Sequence, residues 1–420
     1  MKYSFLFSLA SFESPSSSAS AETVVKILYI NPSPKLREIW QSAVVEFEKA
    51  HSAVKVQFDY LENEAFKAKL PTLLQSKDRP SIFHSFGGGV MLEQIRAGFC
   101  QDITNAIAGD FKESFYPAGV QAFMSQGKSY GLPDSAGPNV FWYNKDLCEK
   151  AGVDPNEIKY WEDLLDAVKK CKAAGVTPMA VGGSEKWPLH FYPALLMMRI
   201  LGKEGMASAY KGDNGGFAGP DVAKAWKKYK ELCDMDPFQE GFQTTKPHEA
   251  AGLFHDGKAA FHLQAGVWVL MTGRLYSANK QGLPDGQLGW FFFPEVQDGK
   301  GKVNDIFGSV YGWLVSKDAP KEAIDFMKVW LGKDIQTKLA AEGLSIPMVK
   351  GTSDVIQNPF YKALALEVNN SGWISVAMDQ LLGRETGRVF NDEALAVAAG
   401  AKSPEQATRS IENSWSQHRI

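Results

Sequence analysis

Residues 130–153, YGLPDSAGPNVFWYNKDLCEKAGV, constrain the fold more than any other stretch of the chain. Gly131 and Pro133 read as a tight turn. Ser135, Ala136, Gly137 and Pro138 form a bridge of small residues, and Val140 to Tyr143 is an apolar, strand-like run. Asn144 then opens a short helix that stops at Gly152. A single compact core has little use for such a bridge in mid-chain, whereas a chain passing from one lobe to another requires one. The length of 420 residues also exceeds what one ordinary core holds, so two or three domains are expected.

The segments before the bridge alternate strand and helix. Residues 24–30 are a nearly continuous apolar run, as in a strand covered on both faces. Ser33 and Pro34 suit the N-cap and first turn of a helix whose apolar face is Leu36, Ile39, Trp40, Ala43, Val44 and Phe47. Residues 54–58 alternate as a second strand, 66–74 are helical, and 81–86 form a third strand. Gly87, Gly88 and Gly89 then turn the chain into a helix over 90–97. Beyond the bridge, Trp161, Leu164, Leu165, Val168 and Cys171 mark an amphipathic helix that ends at Gly175, and 187–201 is apolar on nearly every side. A second crossing is expected at 288–294, LGWFFFP, followed by a strand over 308–316 and a helix over 321–331; the remainder is mostly helical. The pattern predicts an α/β protein of two lobes, each a mostly parallel sheet flanked by helices. The lobes are expected at 22–133 plus 294–331 and at 134–293 plus 332–420. The hinge is placed near 131–137, 290–294 and 331–335.

Composition narrows the function classes. A net charge of −3 leaves no basic excess to neutralise phosphates, so nucleic-acid binding is not expected. Met1 and Lys2, the apolar run 3–12 and the Ala19-Ser20-Ala21 site read as an atypical export signal over 1–21, with a leader introduced by cloning as the rival reading. No later run reaches the roughly eighteen apolar residues that span a bilayer. The four cysteines, Cys100, Cys148, Cys171 and Cys233, form no CxxC pair. Buried thiols are expected, with one disulfide left open for an exported chain. His248-Glu249 lacks the second histidine of HExxH, and GxSxG and GxGxxG are missing, so neither enzyme chemistry nor any cofactor or metal is expected.

Five further segments, in order, carry a resemblance. Phe254 to Phe261 (FHDGKAAF) matches a recurrent F-x-x-G-K-A-A step, and Gly266-Val267-Trp268 a following G-x-W. Phe292-Phe293-Pro294, the Gly-punctuated 308–316 and Ser403-Pro404-Glu405-Gln406-Ala407 complete the set. Together with the bridge, this order resembles the family-1 extracellular solute-binding proteins, the maltose-binding-protein-like group. The resemblance implies a Venus-flytrap fold with a ligand between the lobes. It also implies a periplasmic monomer that delivers a carbohydrate to ABC-transporter permease subunits, with the ATPase on separate chains. The relatives it brings to bear include importers of α-galactosides such as melibiose, raffinose and galactinol.

Sugars need planar polar partners for their hydroxyls and aromatic faces for their C–H surfaces. Trp268, beside Gly266, is the expected stacking platform, with a core tryptophan as the structural alternative. Trp187 and His190 lie at a loop-to-helix entry, and Asp134 follows the Pro133 turn. Glu62 and Asn63 follow the second strand, at the carboxyl end where α/β clefts form. Gly88 can let a ligand approach the backbone. Tyr311 and Gly312 lie on the strand of the second crossing, where alternation puts Tyr311 and Trp313 on one face, either cleft or core. Arg384 offers a guanidinium fork to adjacent hydroxyls. A glycoside hydrolase with two carboxylates, or a binder of a non-sugar polyol or polyamine, are the alternatives.

Overall fold

A computed structural model describes residues 22–30, 33–266 and 268–420. The expected export segment 1–21 lies outside the described residues. The described residues form the strands β1 (Thr23–Ile30), β2 (Val54–Leu61), β3 (Ile82–Ser85), β4 (Met124–Ser125), β5 (Lys128–Ser129), β6 (Gly131–Asn144), β7 (Phe261–Ala265), β8 (Leu288–Phe291), β9 (Ile306–Val315) and β10 (Ile374–Val376). One sheet runs β2-β1-β3-β9-β6-β7, with β10 on β9 and β8 on β6; β4 and β5 form a separate hairpin.

The amino-terminal part follows its sequence signals. Ser33 caps the helix Pro34–Ala50 by accepting from Leu36 N, and Ile39, Trp40, Ala43, Val44 and Phe47 are buried. β1 pairs in parallel with β2 and β3. The return strands are antiparallel: β9 on β3, and β6 on β9, β7 and β8. Parallel pairing is found around β1 and where β10 lies on β9, and the strands that carry the chain across are antiparallel because it travels out along one and back along the other.

The expected tight turn at Gly131–Pro133 is instead the start of the 14-residue strand β6. Its first half, Gly131 to Pro138, pairs with β9; its second half, from Asn139, pairs with β7 and β8. The proline signal shows up as a register shift between Pro133 and Ser135. Proline cannot donate to a ladder, and a bulge absorbs the loss. At the bulge Asp134 O accepts from Met348 N at 3.1 Å. Close pairing with β9 requires Gly308, whose Cβ would lie 2.2 Å from Gly137 O.

Buried side chains fall into distinct clusters. One joins Val25, Trp40, Phe47, Ile82, Trp313 and Trp330, and a neighbouring one Leu28, Phe66, Phe83 and Leu314. Another gathers Phe141, Trp161, Tyr192, Trp226, Phe293 and Phe390, flanked by Val140, Trp142, Phe254 and Leu364. Phe293 and Val296 pack with the Phe141 cluster and Trp290 and Phe292 against the flanking one, so the segment 290–294 lies among these two clusters. The helix Lys333–Ala341 gives Ile335 and Leu339 to the Trp40 cluster, as do Leu344 and Val349 beyond it. Asn144 caps Lys145–Lys150 through Leu147 N, and all four cysteines are buried free thiols.

Candidate ligand-binding site

A cavity of about 230 Å³ lies between these groups of clusters. Tyr29 and Ile30 reach it from the end of β1, Asn63 from the helix after β2, and His84 and Phe86 from the end of β3. This is the carboxyl end of the parallel strands, where loops diverge and leave room for a ligand. Trp187, His190 and Phe191 enter from the opposite side, on the first turn of the helix Trp187–Lys211. Trp268 begins a single π-helical turn after β7. It meets Trp187 at 5.4 Å between ring centroids, and Trp187 Nε1 donates to Glu185 Oε2 at 2.8 Å. The two indoles make one fixed aromatic wall. Facing them, Tyr311 stacks on His84 at 5.8 Å and meets Phe86 edge-on at 5.7 Å.

The polar lining is unusual in how little of it is satisfied. His84, Asp134, Asn139, His190, Gln264, Ser345 and Tyr361 all border the cavity. Each carries a buried side-chain atom without a hydrogen-bond partner among the described residues. An orphaned polar atom costs about 1–3 kcal/mol, so such a concentration marks a surface built to bind something polar. Burial holds both histidines neutral at physiological pH, pushing His84 down to about 3 and His190 down to about 4, the latter opposed in part by Asp379. A neutral imidazole offers one donor and one acceptor.

Lys67 is the one Lys or Arg among the described lining residues. It lies 3.0 Å from Asp379 and 3.1 Å from Glu64. Burial disfavours charge on both Lys67 and Asp379, but their mutual attraction wins, raising the lysine pKa and lowering that of the aspartate. Lys67 is on the helix Asn63–Gln75 and Asp379 on Met378–Leu381, so the pair joins the two sides of the cavity. Nearby, Arg384 N donates to both oxygens of Glu93 at 3.2 Å, capping the helix Gly383–Ala398 from across the same divide.

Asp134 is 7% exposed, and burial pushes its carboxyl up to about 6, with Trp313 and Gln336 opposing. A carboxyl raised from 3.8 binds its proton more tightly when folded, so it favours the folded state less as pH rises from about 4 to 6. Above pH 6 the penalty is constant, roughly 3 kcal/mol at most. Asp134→Asn should therefore raise ligand-free stability at pH 8 and leave it unchanged near pH 3. Urea midpoints that differ from wild type equally at both values would refute the assignment. Gly137 is the second sensitive point. A Cβ there would lie 2.6 Å from the Tyr311 ring, so Gly137→Ala should displace that ring and weaken ligand binding about tenfold or more, measured by calorimetry.

Of the residues singled out in sequence, Asn63, Asp134, Trp187, His190, Trp268 and Tyr311 line this cavity. Glu62, Gly88, Gly312 and Arg384 are not among the lining residues. Glu62 is the N-cap residue of Asn63–Gln75. Gly88 packs on the backbone of Gln380, 2.9 Å from where its Cβ would be, and Gly312 packs against Phe123 and Leu132 O. Arg384 turns its side chain to solvent beside Glu385. Trp313 shares a face with Tyr311 but lies one step deeper, fully buried against Trp330 at 4.2 Å. Sequence reasoning passes over Tyr29, Lys67, His84, Gln264, Tyr361 and Asp379, none of which stands in a local motif.

A family model described as "Bacterial extracellular solute-binding protein" matches residues 33–337. The chain belongs to this family. It is thus a solute-binding protein and not an enzyme. The multiple sugar-binding protein of Streptococcus mutans is 24% identical over 302 residues, 70% of this chain and 68% of the relative. The sn-glycerol-3-phosphate-binding periplasmic protein UgpB of Brucella melitensis is 26% identical over 329 residues, 72% and 70% of the two chains. Among solved structures, a chitin oligosaccharide binding protein superposes with a TM-score of 0.85 at 21% identity, covering 95% of this chain and 99% of that one. At that identity the match concerns the fold, the two-lobed architecture of solute-binding proteins. No described helix is long and apolar enough to cross a membrane.

Proposed function

We propose that this solute-binding protein is the periplasmic, monomeric receptor of an ABC sugar importer. It captures a neutral di- or oligosaccharide between its lobes and delivers it to the membrane permease, with α-galactosides such as melibiose, raffinose and galactinol first among the ligands to test. The observation that carries this reading is the pairing of an aromatic wall, Trp187 and Trp268, with orphaned hydrogen-bonding atoms around one cavity, all but that of Asp134 uncharged at neutral pH. Sugars have both faces this lining asks for. A phosphorylated polyol, of the kind named for the Brucella relative, is less well matched: Lys67 already has two carboxylates at about 3 Å. A polyamine would need several unengaged carboxylates; of the two acidic lining residues described, Asp379 is committed to Lys67 and Asp134 alone has an unpartnered oxygen.

The lobes are taken as 22–133 plus 306–349 and 139–305 plus 350–420. This follows most of the cluster membership, with Phe307, Ala340, Ile346 and Val368 packing across the divide, and moves the later boundaries toward the carboxyl terminus. The hinge falls where β6 passes from β9 to β7, at Pro138 and Asn139, and where β9 begins. Closure is favoured by whatever affinity the ligand has in excess for the closed state. The Lys67–Asp379 pair and the Glu93 cap add lobe-to-lobe contacts of their own. A thermal-shift screen across neutral sugars, glycerol 3-phosphate and polyamines tests the class of ligand. A shift with polyamines or phosphates alone would overturn the reading.

A further inference from the structure

Gln264, Ser345 and Tyr361 border the cavity on the side away from the tryptophan wall. Gln264 lies at the end of β7, where it shares a face with Val140 and Trp142 by strand alternation. Those two side chains pack with Ile346, Tyr361 and Leu364. Trp187 and Phe191, with Trp268 against them, pack instead with Phe141, on the other face of the same strands. The cavity therefore straddles the end of the β6–β7 pair, with one lining on each side.

The side chains at this second lining are held in place. Gln264 Oε1 accepts from Ala265 N at 2.9 Å, and Gln264 O accepts from Trp142 Nε1 at 3.1 Å. The amide orientation is thereby fixed, and its NH2 group is left with no partner among the described residues. Tyr361 is pinned at the start of Pro359–Asn370, where its backbone N–H reaches Asn358 Oδ1 at 3.1 Å. Its side chain is 3% exposed and its hydroxyl is orphaned, as is that of Ser345. Gly266 lies beside them, where a Cβ would be in van der Waals contact with the Tyr361 ring at 3.6 Å. The lining on this side has donors and acceptors but no charge.

We propose that Gln264, Ser345 and Tyr361 form a second hydroxyl-binding subsite, so that the cleft takes a ligand of at least two sugar rings, one against Trp187 and Trp268 and one over the end of β7. The proposal rests on the reading of the cavity as a sugar cleft. The Gln264 NH2 donates to a ring hydroxyl, and the tyrosine and serine hydroxyls each donate or accept according to the hydroxyl they meet. Leaving such a partner unpaired in a buried site is what separates a cognate sugar from one lacking the group.

Calorimetry on wild type, Tyr361→Phe and Gln264→Leu tests it, with melibiose, maltose, trehalose, raffinose and galactinol set against galactose and glucose. Wild type should bind at least one of the larger sugars about tenfold or more tighter than either hexose. Each substitution should remove most of that advantage, read as the ratio of larger-sugar to hexose affinity. Tyr361→Phe removes only an unpartnered hydroxyl, so its ligand-free melting temperature should not fall; a purely structural role would lower it. If both variants bind the larger sugar as wild type does, or if a hexose alone binds as tightly, the subsite is refuted while the sugar cleft stands. If wild type binds none of these sugars, the cleft reading fails and the subsite fails with it.

Discussion

Trp268→Ala is expected to abolish the thermal shift produced by a bound sugar. The indole is half-buried at the cavity wall and sits 5.4 Å from Trp187, whose own ring is fixed by Glu185. Removing it deletes a stacking face and also the side support of the second tryptophan. Together these are worth about 2–3 kcal/mol of binding, or roughly a hundredfold in Kd. At a ligand concentration of about 100 times the wild-type Kd, binding stabilises the protein by about 2.7 kcal/mol. A hundredfold weaker variant at the same concentration keeps only about 0.4 kcal/mol of this, too little to move the transition visibly. The ligand-free protein should lose far less, because Trp268 is only partly buried and the π-helical turn is anchored by Val269 and Leu270. A full shift retained in the variant would remove Trp268 from the site. A large fall in ligand-free melting temperature would show it to be a core residue.

The elements legible in sequence are those decided by neighbours a few residues apart. Ser33 and Pro34, the Trp161–Ala173 periodicity and Asn144 before Lys145 all specify their helices locally. The bridge at 130–138 reads in sequence as opening on a tight turn and is a strand instead, because what makes it a strand is β9, more than 160 positions further on. The same distinction separates the site residues. Trp268 stands beside a glycine at a recognisable step, and Trp187 opens a helix; both carry local marks. Lys67 and Asp379 are 312 positions apart, and each alone is one charged residue on a helix. Gln264 and Tyr361 belong to apolar-looking segments, and only folding shows that one atom of each has been left without a partner. Arg384 and Gly88 mislead in the opposite direction. Both lie where the two sides of the protein meet, yet they serve that contact through the backbone and not the cavity.

The largest loss of stability is expected at a residue far from any aromatic platform. Arg199 is 1% exposed, on the helix Trp187–Lys211, and its guanidinium donates only to backbone carbonyls. Nε and Nη2 reach Phe293 O at 3.1 Å, Nη2 reaches Val303 O at 3.0 Å, and Nη1 reaches Asp305 O at 3.2 Å. Burial brings its pKa down to about 10, with Asp305 and Glu295 opposing, so it remains a cation at neutral pH. The residues it holds belong to the loop between β8 and β9, which carries the chain back toward the first group of clusters. That loop is stitched from its other side too, as Gly301 N donates to Arg199 O and Lys300 N to Ile200 O. The approach is possible because the helix breaks at Gly202, φ +65°, where a Cβ would lie 3.0 Å from Lys300 O. Arg199→Met keeps the apolar stem but leaves three carbonyls, the buried one of Phe293 and the part-buried ones of Val303 and Asp305, without these donors. The expected cost is about 3–5 kcal/mol, read as a lower urea midpoint. Arg199→Lys keeps the charge but, lacking the planar fork, satisfies fewer of the carbonyls and should fall between the two. A methionine variant within about 1 kcal/mol of wild type would show that the loop is held by its backbone contacts alone. If the clamp holds the loop in this way, loosening it frees the start of β9 at the hinge. The methionine variant should then also bind sugar more weakly at temperatures well below its melting transition, although Arg199 touches no part of the cavity.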